Sequence, residues 1–143
     1  CGDVTLADGD GPLILASAGI GCTPSASILR ALAEKDSGRQ VTVLHAESTL
    51  ERWAMRRQMN DDVELLSRAD LELWLETPAD GDTEAHLGFM TLDGLSIPAD
   101  ATVYLCGPLP FMRSLRGQAL AAGVPAANVH YEVFGPDLWL AGA

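Results

Sequence analysis

Basic residues are scarce in this chain. It carries 9 Lys plus Arg against 20 Asp plus Glu, for a formal net charge of −11. A surface of that sign repels nucleic acid and anionic lipid, so neither is expected as a partner. Any polyanionic ligand must be held by backbone donors or a few placed cations. Cysteine is also sparse: Cys1, Cys22 and Cys106 are odd in number, far apart and in no C-x-x-C spacing. That excludes a disulfide framework and a zinc site, and makes a reducing cytoplasm the simplest compartment. His45, His86 and His130 show no ligand spacing either, so no metal is expected, and core or surface roles are favoured for each. No stretch approaches the roughly 20 apolar residues of a membrane-spanning helix, and no basic segment precedes an apolar one as in a leader peptide. Internal repeats, low-complexity tracts and an initiator methionine are absent as well.

What is present is enough apolar material, 48% of 143 residues, for one compact core. Apolar runs bounded by turn residues read as strands at Leu13 to Ala18, Val41 to Ala46, Leu71 to Glu76, Thr102 to Cys106 and Asn128 to Phe134. Helical character separates them at Thr23 to Glu34, Leu50 to Arg68, with some irregularity near "NDD", and Pro110 to Ala122. The first two strands are apolar with little alternation, as in strands buried on both faces, whereas "DLELWLE" sets Leu71, Leu73 and Leu75 against Glu72, Trp74 and Glu76 and reads as an edge. The expected fold is α/β: a Rossmann-like three-layer sandwich with a five-stranded parallel sheet in the order 3-2-1-4-5. Thr77 to Asp100, rich in Gly, Pro and Asp, reads as loop with room for one short helix.

Four segments carry possible chemistry. In "AGIGCTP" a buried strand turns through Gly19 and Gly21 into a helix, so backbone N–H groups and the positive helix end converge on a place suited to a pyrophosphate. Thr23 is expected as N-cap and Pro24 as the first helical residue, where a missing donor costs nothing. A turn that needs glycine for its backbone angles alone is the competing explanation. No G-K-[ST] follows, which removes a P-loop ATPase. The second strand ends in Glu47 and Ser48, where a carboxylate would accept from ribose hydroxyls and repel a 2′-phosphate, favouring NADH. Arg52, Arg56 and Arg57 lie nearby; Arg52 and Arg56 sit at the spacing of one helical face, and a solvated face paired with Glu51 is favoured over phosphate recognition. In "YLCGPLPFM", Cys106 ends a buried strand and Gly107 would let a flat ring approach the backbone, although spacing alone makes Cys106 a core residue. In the tail "HYEVFGPDLWLAGA", Gly135 and Pro136 break the last strand beside an aromatic and a carboxylate; pattern alone favours core packing there.

Together these segments resemble the nicotinamide-binding domain of the ferredoxin-reductase superfamily, and most closely the C-terminal domain of flavohemoglobins, the bacterial nitric oxide dioxygenases. "PLILASAGIGCTP", "LHAES", "YLCGP" with "LPFM", and above all "VHYEVFGPDLW" carry the resemblance, which spans nearly the whole chain in order. It implies that Gly19, Ile20, Gly21, Cys22, Thr23 and Pro24 contact the NAD(P)H pyrophosphate and that Cys106, Gly107 and Pro108 border the nicotinamide. Val133, Phe134, Gly135 and Pro136 would reach toward FAD, Phe134 would cover the flavin ring until nicotinamide displaces it, and Glu132 would be the carboxylate that tunes electron transfer. Hydride would pass from NAD(P)H to FAD, and electrons onward to a globin haem.

The family's globin and its flavin barrel with an R-x-Y-S signature have no counterpart in these 143 residues. "GDVTL", residues 2 to 6, resembles the last strand of that barrel, so residues 1–11 are expected to be a remnant of the flavin domain with a linker, and residues 12–143 the NAD(P)H-binding domain. The chain is accordingly expected to be a C-terminal portion or isolated domain of a longer oxidoreductase, binding nucleotide but inactive alone. The alternatives are a reductase domain feeding an oxygenase or ferredoxin, and a non-catalytic nucleotide-binding module that regulates a partner through the tail containing Trp139.

Overall fold

The computed structural model describes residues 9–19, 22–77 and 85–133. Its elements run β1 (Leu13–Ala18), α1 (Cys22–Glu34), β2 (Val41–Glu47), a 3-10 turn (Leu50–Arg52), α2 (Arg56–Leu65), β3 (Ala69–Leu75), β4 (His86–Leu87), β5 (Thr102–Gly107), α3 (Leu109–Ala121), a second 3-10 turn (Ala126–Asn128) and β6 (Val129–Val133). The sheet is parallel throughout, in the order β4-β3-β2-β1-β5-β6. Chain order therefore reverses between β1 and β5: β2, β3 and β4 are laid down on one side of β1, and β5 and β6 on the other.

Successive strand residues point to opposite faces, and each face has its own core. Leu13, Leu15, Val41, Val43, Leu73 and Tyr104 pack with Ile28, Leu29 and Leu32 of α1 and Met59 of α2. Ile14, Ala16, Leu44, Trp74, Val103 and Leu105 pack with Met112, Leu115 and Ala119 of α3. These are the three layers the sequence implies, because strands covered on both sides have no polar face. The first helix stops where Asp36 turns left-handed (φ 52°). Ser37 N–H then bonds Leu32 C=O at 3.1 Å and Asp36 N–H bonds Ala33 C=O at 3.1 Å, so two carbonyls at the helix end are satisfied.

Four expectations need correction. The sheet has six strands, not five, and the order 3-2-1-4-5 gains a member beyond β3, which is therefore not the outermost strand. The added strand, His86–Leu87, is two exposed residues long and too short for any period. It is held by Gly88 N–H on Leu75 C=O at 2.9 Å, by His86 stacked on Trp74 at 4.5 Å and by His86 Nε2 against Glu72 Oε1 at 2.7 Å. The expected short helix between Thr77 and Asp100 is not found in its described part. Helix α1 begins at Cys22, so Thr23 and Pro24 lie within its first turn instead of forming the N-cap and first residue. Proline is tolerated there because the first four N–H groups of a helix have no partner inside it. Finally, "NDD" is inside α2, and the break falls at Trp53 to Met55, which puts Arg52 and Arg56 in separate elements and not on one helical face. At the break Trp53 is extended (φ −79°, ψ 91°) and buried. Among the described residues no helix is long and apolar enough to cross a membrane.

Candidate functional site

The carboxyl ends of β1, β2, β5 and β6 gather most of the expected residues on one edge of the sheet. At the centre, β1 is followed by Gly19, whose φ of +59° belongs to the left-handed region and which has no described neighbour within 4 Å of where a Cβ would stand. A positive φ and open space at a strand end suit close approach by a ligand. Cys22, Thr23 and Pro24 follow in the first turn of α1, with Cys22 and Pro24 buried and Thr23 exposed. The helix N-terminus so placed fits an anionic group, which answers the lack of basic charge. Ile20 and Gly21 lie outside the described residues.

On the β5 side, parallel register sets Ser17 beside Cys106, Cys106 beside Glu132, and Gly107 beside Val133. Cys106 is fully buried with its side chain in the α1-side core, so only its backbone borders the edge. A Cβ on Gly107 would stand 2.9 Å from Phe111 Cδ2 and 3.2 Å from Ala18 Cβ. This glycine is thus required by the convergence of β5, α3 and the end of β1, whatever ring approaches from outside. Pro108 is exposed and precedes α3 as its N-cap residue. Glu132 is half-buried. Phe134, Gly135 and Pro136 lie outside the described residues, as do residues 1–8, the side chain of Val133 and the rest of the tail.

The β2 side is built differently, from buried polar groups. His45, fully buried, has Nδ1 at 2.8 Å from Ser17 Oγ and Nε2 at 3.0 Å from Glu47 Oε1. Trp53 stacks on its ring, with centroids 5.0 Å apart. Burial pushes the imidazole pKa down to about 4, contact with the Ser17 backbone offsetting only part of that, so the ring is neutral near pH 7. A carboxylate can only accept; Nε2–H therefore donates to Glu47, and Nδ1 accepts the Ser17 hydroxyl. Burial also pushes the Glu47 carboxyl up, opposed by the Ser48 backbone and the Arg52 charge. The Cys22 thiol is raised too, first by burial and then by the Glu47 charge, which makes it a poor nucleophile.

Sequence reasoning assigned no site role to Ser17 or His45. Ser17 is the one polar residue of β1, next to its last position, and His45 is a polar residue two positions before the end of β2; those interruptions were the available signal. A groove of about 910 Å³ bordered by Trp53, Arg56, Arg57, Leu73 and His86 lies against α2 and β3. None of the expected nucleotide-contacting residues lines it.

An all-parallel sheet with helices on both faces, a reversal of strand order, and a glycine turn into a helix at that reversal define the dinucleotide-binding class of α/β domain. More particularly, residues 15–117 match the family model described as the oxidoreductase NAD-binding domain, and the chain belongs to that family. It is 36% identical over 128 residues to a flavohemoprotein of Xylella fastidiosa, covering 87% of this chain and 32% of that protein. In structure it is similar to the flavohemoglobin of Malassezia yamatoensis, crystallised with bound FAD and heme (TM-score 0.84, 33% identity, 93% of this chain and 34% of that one). It is also similar to the flavohem-like FAD/NAD-binding domain of nitric oxide dioxygenase from Vibrio cholerae (TM-score 0.78, 34% identity, 87% of this chain and 52% of that one). The chain spans about a third of the length of the flavohemoproteins it matches.

Proposed function

We propose that this NAD-binding domain serves a flavin-dependent oxidoreductase of the flavohemoglobin type, a nitric oxide dioxygenase. It lays the nicotinamide nucleotide along the carboxyl edge of the sheet and presents it to FAD held by another domain of the same protein, from which electrons go on to a globin haem. The pyrophosphate lies against Gly19 to Pro24, the adenosine ribose against Glu47 and Ser48, and the nicotinamide beside Cys106, Gly107 and Pro108. When bound, the nicotinamide supplies the hydride; this chain binds and orients it. Glu132 and Val133 end β6 beside Cys106 and Gly107, and Phe134, Gly135 and Pro136 would contact the flavin. NADH is preferred over NADPH because Glu47 would meet a 2′-phosphate with like charge. The buried thiols Cys22 and Cys106 support a reducing, cytoplasmic setting.

The observation that carries this reading is the placement of Gly19 and Gly107. They stand at the carboxyl ends of neighbouring strands, Gly19 just after β1 and Gly107 last in β5, where the chain order reverses and where a helix follows each. Titration of the protein with NADH and NADPH tests it. NADH binds more tightly, and Gly21→Val, which fills the pyrophosphate's space, abolishes binding of either without lowering thermal stability to match. Unchanged affinity in Gly21→Val removes the loop from the site, and a clear NADPH preference overturns the role given to Glu47.

A further inference from the structure

We propose that His45 is a positioning residue for nucleotide selectivity. It ties one oxygen of Glu47 to strand β1 through Ser17 and thereby aims the rest of the carboxylate at the adenosine ribose. This rests on the reading of Glu47 as the ribose acceptor.

Glu47 is the last residue of β2, and its side chain is nearly enclosed, 7% exposed. A carboxylate has about four acceptor sites. His45 Nε2 at 3.0 Å takes one on Oε1, and the Ser48 backbone interacts with the group as well. Capacity remains for a ribose hydroxyl on a group that no longer swings. The anchor is itself anchored: His45 is held on one ring nitrogen by Ser17 Oγ at 2.8 Å and over its face by Trp53. Ser17 stands two residues before Gly19, in register with both His45 and Cys106. The relay thus joins the ribose end of the site to the strand that carries the pyrophosphate turn, and a shift of one moves the other.

The chemistry of the relay prescribes the test. Glutamine at position 45 can place an amide N–H where Nε2–H stands, while asparagine reaches only the Nδ1 position, keeping the Ser17 partner and dropping Glu47. The readout is the ratio of NADPH to NADH dissociation constants in the protein, measured by calorimetry near pH 7.5. His45→Asn weakens NADH binding about tenfold, the size of one charge-assisted hydrogen bond, and brings the ratio toward one; His45→Gln keeps the ratio within about twofold of the parent. Ser17→Ala, a gentler change, lowers the ratio about threefold and decides the matter if His45→Asn does not fold. Equal loss for both nucleotides in His45→Asn and His45→Gln would mean that the ring is merely structural, and an unchanged ratio in Ser17→Ala also overturns the proposal. Glu47→Ala separates the two levels. If it leaves the ratio intact, the ribose reading fails; if it collapses the ratio while His45→Asn does not, only the positioning role fails.

Discussion

The two ends of the candidate site, on either side of β1, are held by opposite means. Toward β2 a buried histidine links Ser17 to Glu47 through two hydrogen bonds under a tryptophan ring. Toward β5 the strands close by the absence of a side chain: Phe111 and Ala18 both crowd the place where a Cβ of Gly107 would stand. Directional bonds set the position of a charged group, whereas close packing sets the distance between backbones. In the proposed function the first end takes the adenosine ribose, whose hydroxyls must be read, and the second the flat nicotinamide ring, which needs a surface.

Losing the central member of the relay has the largest expected effect on stability. His45→Leu keeps most of the volume but leaves a buried hydroxyl and a carboxylate without their partner, and destabilises by about 3 kcal/mol in urea unfolding. A cost under about 0.5 kcal/mol would mean that the relay does not organise this end. Next comes the packed end: Gly107→Ala overpacks against Phe111 and Ala18 and costs about 2 kcal/mol, read in the same way.

Acid sharpens the contrast, because only one end carries the histidine relay. The unfolded chain takes up a proton at His45 as pH falls through 6.5, and the folded chain only near pH 4. Stability is therefore lost as pH falls between those values, by an amount on the order of 3 kcal/mol. Glu47 and Asp62, raised chiefly by burial, act in the opposite sense, since the folded state keeps protons that the unfolded state has released. Comparing unfolding across pH 4 to 6.5 in the parent and in His45→Gln isolates the histidine, and the variant shows the shallower loss. The smallest effect belongs to Cys106→Ala. Its side chain points into the core, so the change costs about 1 kcal/mol of stability and alters NADH affinity by less than about threefold.

The same contrast explains what could be read in advance. Strands β1, β2, β5 and β6 announce themselves as apolar runs between turn residues, and the glycines at 19 and 107 stand where strands give way to helices. The carboxyl edge was therefore visible as a line of candidate positions. The relay was not: Ser17 and His45 are 28 residues apart and meet only because parallel register sets them side by side. Strand β4 was missed because two residues carry no period, and its contacts run through Trp74 and Glu72 on another strand. Trp53, at the break in the second helical segment, likewise has its ring partner, His45, on another element, out of reach of local propensity.

Amide chemical-shift mapping of the labelled protein during an NADH titration locates the nucleotide. Shifts are expected at Gly19 to Thr23, at Glu47 and Ser48, and at Cys106 and Gly107, with Arg57 and Asn60 in the groove against α2 undisturbed. Shifts confined to that groove, with the amides of Gly19 and Gly107 unmoved, would contradict the proposed placement.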